Sequence, residues 1–158
     1  ETLLGDVSYD TREIAFMTLW KTFPENQPKY LEKAKYWIGG NDKSLRIMYL
    51  TFALLSADNQ NNESLYAELV AYTAPTFESS VRQNAITNAL SINPKDSAVL
   101  KNLVNATVHH KWQFSKFGRD KIRQLLKKEG YAVLFQSMLP SLPENEAVQL
   151  QKLLSEKS

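Results

Sequence analysis

Apolar residues recur along this chain at intervals of three and four, and strand-type alternation is scarce, so the pattern predicts helices nearly throughout. Asp10 with Glu13 three positions on has the spacing of a capped helix start. Phe16, Leu19, Trp20 and Phe23 follow as its stripe until Pro24 ends it. A second helix carries Tyr30, Leu31, Ala34, Trp37 and Ile38 and is expected to close at Gly39-Gly40. Asn41 or Asp42 would cap a third, with Leu45, Met48, Tyr49, Phe52 and Leu55 on its apolar face. The polar run 58–62 is the longest loop signal. Leu65, Leu69, Val70 and Thr73 make a fourth stripe closed by Pro75, and Ser79 or Ser80 opens a fifth with Val81, Ala85, Ile86, Ala89 and Leu90. Asn93-Pro94 breaks that one, and Asp96 caps a sixth with Val99, Leu100, Leu103, Val104 and Val108. A seventh runs from about Gln113 to Glu129 and ends at Gly130. Short helices around Leu134 and from Pro143 onward complete the chain, with Ser141 and Glu144 spaced as a capping box.

Alternate helices therefore start near 10, 42, 79 and 113, at intervals of 32, 37 and 34 residues. A helix pair recurring at that spacing is the mark of an α-solenoid, because such pairs bury their apolar faces only by stacking. The predicted fold is all-α, a HEAT-like α-solenoid of eight or nine helices in antiparallel pairs; a globular bundle is the competing architecture. The segment "NAITNALSINPKD" resembles the second helix of a tetratricopeptide repeat through Ile86, Ala89, Leu90 and Pro94. The other helix pairs lack that pattern, so a looser HEAT-like array fits better.

The 158 residues, 43% of them hydrophobic and 23% charged, have the profile of one globular domain spanning 1–158. A chain of this size buries roughly 70% of its unfolded surface without staples. With no cysteine there is no disulfide scaffold or thiolate metal site. No apolar run approaches the roughly 20 residues a membrane-spanning helix needs. "TLLGD" resembles the last turn of a helix closed by Gly5. Glu1 is accordingly read as a cut in a longer polypeptide, with any targeting signal upstream, which leaves periplasmic and cytoplasmic locations both open.

Only the stretch "VHHKWQFSKFGRDK" (108–121) looks chemical. His109 and His110 are adjacent, so on a helix they point about 100° apart. No carboxylate or third imidazole lies within a turn of them, and the spacing gives no metal site. G-x-S-x-G, G-x-G-x-x-G and P-loop patterns are all missing. The expectation is a helix junction with Trp112, Phe114 and Phe117 as core anchors, and a chain with no catalysis of its own.

Charge is more informative. Residues 111–128 hold seven basic side chains against Asp120 alone, a net +6 in a chain of net +2, which leaves −4 for the rest. Lys116, Arg119, Arg123 and Lys127 fall on one side of the predicted helix, opposite Phe114, Phe117, Gly118, Ile122 and Leu125. Lys121 falls with the apolar set and has to snorkel or find a partner. The stripe is either an ordinary solvated face or a contact for an acidic protein surface or a peptide carboxylate. Its aromatics do not interleave with its charges as base-stacking platforms would, so nucleic acid is not expected as a partner.

The segments "WIGGNDKSLRIMYLTFALL", "FESSVRQNAITNAL" and "LVNATVHHKWQFSKFGRDKIRQLL" together resemble the C-terminal helical domain of bacterial zinc aminopeptidases. These are gluzincin metallopeptidases of the aminopeptidase N type, and the similarity is greatest to members of the kind found in Bacteroidetes. It spans Tyr9 to Leu139. The resemblance implies a HEAT-like array folded over an upstream catalytic domain, narrowing access so that short peptides enter and folded proteins do not. It places zinc in that catalytic domain, held by an HExxH motif and a downstream Glu, with a GxMEN motif for the peptide's amino end. This chain contains neither motif, so no catalytic or metal residue carries over. The implied partners are the catalytic domain of the same polypeptide and its peptide substrates. The alternative is a free-standing helical scaffold that binds a peptide or protein.

Overall fold

The computed structural model describes residues 1–41, 43–56, 59 and 62–156. The described residues are all-α, with no strand. The helices are α1 Tyr9–Thr22, α2 Gln27–Ala34, α3 Ser44–Leu55, α4 Glu63–Ala71, α5 Ser79–Ile92, α6 Ser97–Thr107, α7 Trp112–Leu126, α8 Tyr131–Met138 and α9 Glu144–Ser155. TLLGD is a 3-10 turn, Thr2–Gly5, from which Asp6 leaves in an extended conformation.

Several helix ends differ from the sequence expectation, each for a local reason. Ser8, not Asp10, caps α1: its hydroxyl accepts from the Thr11 N–H at 3.4 Å, and Asp10 lies in the first turn. Helix α2 stops at Ala34, well before Gly39-Gly40, because the Trp37 N–H closes a turn onto the Ala34 carbonyl. Gly39 has φ 89°, and a Cβ there would lie 2.9 Å from the Leu45 nitrogen, so the turn into α3 needs glycine. Lys43, at φ 54°, precedes α3 in place of Asn41; Asp42 lies outside the described residues, as do Asp58, Gln60 and Asn61 of the polar run. Asn62 caps α4 and Asp96 caps α6, accepting from Leu65 and Val99 at 3.1 and 2.9 Å. Ser141 does not build a capping box, since its hydroxyl donates back to Met138 and α9 begins after Pro143. Helix α7 ends at Leu126, short of Glu129.

The odd-numbered helices begin at Tyr9, Ser44, Ser79, Trp112 and Glu144, a spacing of 35, 35, 33 and 32 residues and more even than the sequence pattern suggested. They pack in order: α1 on α3, α3 on α5, α5 on α7, α7 on α9. Each even helix packs on the odd helices before and after it, and α6 also reaches α9. Helix α3 is buried on nearly every side, including Ile47, Leu50 and Leu54 outside its predicted stripe, because its sequence is apolar almost without interruption. Gly118 lets α7 approach α6 closely, since a Cβ there would meet the Thr107 nitrogen at 3.0 Å and the Ala106 Cβ at 3.2 Å. At the other end Phe16 is enclosed by Trp20, Trp37 and Phe52, with ring centroids 6.0, 5.8 and 5.4 Å away. Arg46 ties α3 to α4 through two 2.6 Å bonds to the Glu68 carboxylate, and its Nη1 donates to the Lys35 carbonyl beyond α2.

Candidate functional site

The basic stripe of α7 is partly neutralised by two carboxylates, Asp120 on the same helix and Glu156 at the end of α9. Lys116 pairs with Asp120 one turn on, and Arg123 reaches Asp120 at 3.2 Å and Glu156 at 2.8 Å. These pairings lower the carboxyl pKa values of Asp120 and Glu156 and raise that of Arg123. Arg119 donates to the Thr107 carbonyl at 3.3 Å, at the C-terminal end of α6, where a cation meets the negative end of the helix dipole. Lys127 alone of the four makes no ion pair or hydrogen bond among the described residues; it borders a groove of about 210 Å³ with Arg123, Leu126, Leu153 and Glu156. Phe114, Gly118, Ile122 and Leu125 are buried on the opposite face, while Phe117 and Lys121 are half-buried.

The expectation of three aromatic anchors is corrected at Trp112, which is 66% exposed. It occupies the first position of α7, one residue beyond the Lys111 N-cap, while Phe114 carries the burial. His109 and His110 do stack at the junction, 4.2 Å apart, and His109 stands edge-on to Phe114 at 5.1 Å. Its Nδ1 accepts from the Lys111 N–H at 3.0 Å. Burial first, then His110, Arg82 and Lys111, hold the His109 imidazole below its usual 6.5, with Glu78 opposing them. The unfolded chain therefore takes up a proton that the native state resists, and stability rises with pH up to the unfolded value. We expect the urea midpoint to fall as pH is lowered through 6.5, before Glu68 and other carboxylates with usual values near 4.5 begin to titrate. His109→Gln should flatten that dependence; a wild-type midpoint already flat in this range would show that His109 titrates alike in both states.

The most enclosed charged side chain among the described residues is one that the sequence pattern did not single out. Arg82, on the apolar face of α5 with Ala85, Ile86 and Ala89, is 1% exposed. Its Nε donates to the Thr73 carbonyl at 3.0 Å, and its Nη2 to the Asn102 carbonyl and Asn105 Oδ1 at 3.2 and 2.8 Å. Asn105 in turn donates to the buried Glu146 carboxylate at 2.6 Å, and Asn102 to the Thr73 hydroxyl at 2.7 Å. The guanidinium carbon lies 5.0 Å from the Phe114 ring centre. Burial lowers the Arg82 pKa and the Glu146 charge opposes that shift. Every polar group named here is bonded, which is the condition under which a buried cation is tolerated. The network holds α4's end, α5, α6 and α9 together.

A second polar set is open to solvent. A groove of about 220 Å³ crosses α1, α3 and α5, with Glu13 at one side, Met17, Met48 and Phe52 along it, and Asn84 and Asn88 at the other. The Asn88 side-chain nitrogen donates to the Asn84 carbonyl and Oδ1, at 2.9 and 2.8 Å. Glu13, expected at a helix cap, makes no hydrogen bond or ion pair among the described residues and faces this groove instead. Its sequence signal was only the one-turn repeats Glu13/Met17 and Asn84/Asn88, which mark a shared face but not which helices meet.

Among the described residues no group of three or more His, Cys, Asp or Glu is placed to hold a metal ion, and no helix is long and apolar enough to cross a membrane. No protein-family model matches the chain, and neither a curated protein nor a solved structure does.

Proposed function

We propose that this chain is a HEAT-like helical-repeat domain, with its helices in antiparallel pairs, that works by shape and surface rather than by catalysis. The observation that carries this reading is the packing order, in which each odd helix rests on the next at a spacing of 32–35 residues. Its context is the C-terminal part of a zinc aminopeptidase, where it packs over the catalytic domain and restricts which peptides enter. The resemblance of three segments to that family supports this context. Zinc belongs to the catalytic domain in this reading. Lys116, Arg119, Arg123 and Lys127 are the proposed contact with that domain or with a peptide carboxylate. Lys127, unpaired among the described residues, has the most charge to offer.

Reading the coding frame upstream of Glu1 tests the proposal. An HExxH motif followed by a further Glu supports it; a start codon shortly before Glu1 with no such motif defeats the peptidase context. The second reading, a free-standing peptide-binding scaffold, is favoured by the open groove across α1, α3 and α5.

A further inference from the structure

We propose that the groove across α1, α3 and α5 binds an extended peptide segment bearing a lysine or arginine side chain, with that cation on Glu13 and one peptide unit on Asn84 and Asn88. The proposal rests on reading the helix row as a binding surface, whether or not a catalytic domain precedes it.

Three features of the groove converge on that ligand. The bonds from Asn88 to Asn84 fix both amides and use one donor group and one acceptor. What remains on these two groove-lining residues is the Asn84 amide nitrogen and the Asn88 oxygen, neither of which has a partner among the described residues. A donor beside an acceptor is the complement of a peptide unit, which presents one C=O and one N–H. Glu13 supplies the second feature. It is a half-buried carboxylate that no described cation or donor reaches, in a chain whose residues outside 111–128 sum to −4. An anion so placed favours a cationic partner, and a charge-assisted hydrogen bond there is stronger than a neutral one. Between the two lie Met17, 38% exposed, with Met48 and Phe52. Thioether side chains adapt to different apolar surfaces, so this floor accepts the stem of a long side chain without selecting one neighbour.

The groove runs over three successive helices of the odd-numbered row, and a lone cation would use only one end of it. A chain lying along it engages all three features together. An acidic peptide has no place here, since Glu13 would repel it; the partially neutralised stripe of α7 is where such a peptide would go.

The test titrates the whole chain with an acetylated, amidated peptide library of fixed central Lys or Arg between degenerate positions, and follows backbone amide shifts by NMR. The expected result is saturable shifts in α1, α3 and α5. Affinity should drop about tenfold or more for Glu13→Gln and for the peptide with norleucine in place of Lys, the two losses not adding. Asn88→Ala should weaken the charged and the norleucine peptides by the same factor. Both positions are solvent-accessible, so an unchanged thermal midpoint shows that these variants stay folded. Shifts confined to α7 and α9, abolished by Arg123→Ala, would overturn the groove assignment and leave the scaffold reading standing. No shift anywhere at millimolar peptide would overturn both. Binding indifferent to Glu13→Gln would remove the cation from the proposal and so defeat it.

Discussion

Replacing Arg82 with alanine is expected to lower folding stability by about 3–5 kcal/mol, because it strands buried partners and opens a cavity together. The Thr73 and Asn102 carbonyls and Asn105 Oδ1 all lose the donor they face, and Asn105 loses the anchor that holds it on Glu146. An unsatisfied buried polar group costs about 1–3 kcal/mol by itself, so three such groups account for the range even after partial relaxation. For a domain of this size each kcal/mol moves the melting temperature by roughly 2–4 °C. Arg82→Met separates the two components. It keeps the aliphatic volume beside Phe114 and removes only the guanidinium, so it should recover part of the loss but remain well below wild type. Denaturant unfolding of both variants at constant m-value decides the matter. Arg82→Met within about 1 kcal/mol of wild type would mean that the hydrogen bonds are energetically idle and that packing alone holds α5 to α6.

Arg82 also shows where sequence reasoning stops. Its neighbours on the same stripe, Val81, Ala85, Ile86, Ala89 and Leu90, were legible from spacing and are all buried. So were the Asp96 cap and the apolar face of α6, because both depend on residues within one or two turns. A charge on the apolar stripe looks like an interruption until its partners arrive from residues 73, 102 and 105, which no local pattern brings together. The basic stripe fails in the opposite direction. The +6 of residues 111–128 was countable, but Glu156, which pairs with Arg123, lies 33 residues further on. Trp112, expected as an anchor beside Phe114 and Phe117, sits at the first turn of α7 and stays outside. The candidate groove was not read from the sequence, whose one-turn repeats Glu13/Met17 and Asn84/Asn88 mark single faces and not an assembly. Which faces meet is decided by α3, whose apolar surface on all sides lets it receive α1 and α5 alike.

The second large effect is expected near the N-terminal end of the chain, in α1, and it bears on the architecture itself. Phe16→Ala should destabilise by about 3–5 kcal/mol, the range for removing a fully buried aromatic side chain. Phe16 has no exposed surface and touches Trp20, Trp37 and Phe52, while Trp20 and Phe52 stack on each other at 4.7 Å with a 4° tilt. Edge-on pairs of this kind add about 0.5–1.5 kcal/mol to simple burial, so the loss should sit in the upper part of that range. Where the loss is felt distinguishes the two architectures that the sequence pattern leaves open. In a nearest-neighbour array a defect at one end lowers the stability of the adjoining units and leaves distant ones protected. Hydrogen exchange in Phe16→Ala should then quicken across α1, α2 and the start of α3 while the amides of α6 and α7 keep their wild-type protection. A bundle with one indivisible core would transmit the whole loss to every slow-exchanging amide. Arg82→Ala provides the internal comparison, since it strikes the junction of α5, α6 and α9 and should quicken exchange there while α1 responds little. If instead both variants accelerate all helices equally, the stacking order is not the unit of stability, and the helical-repeat reading falls with it.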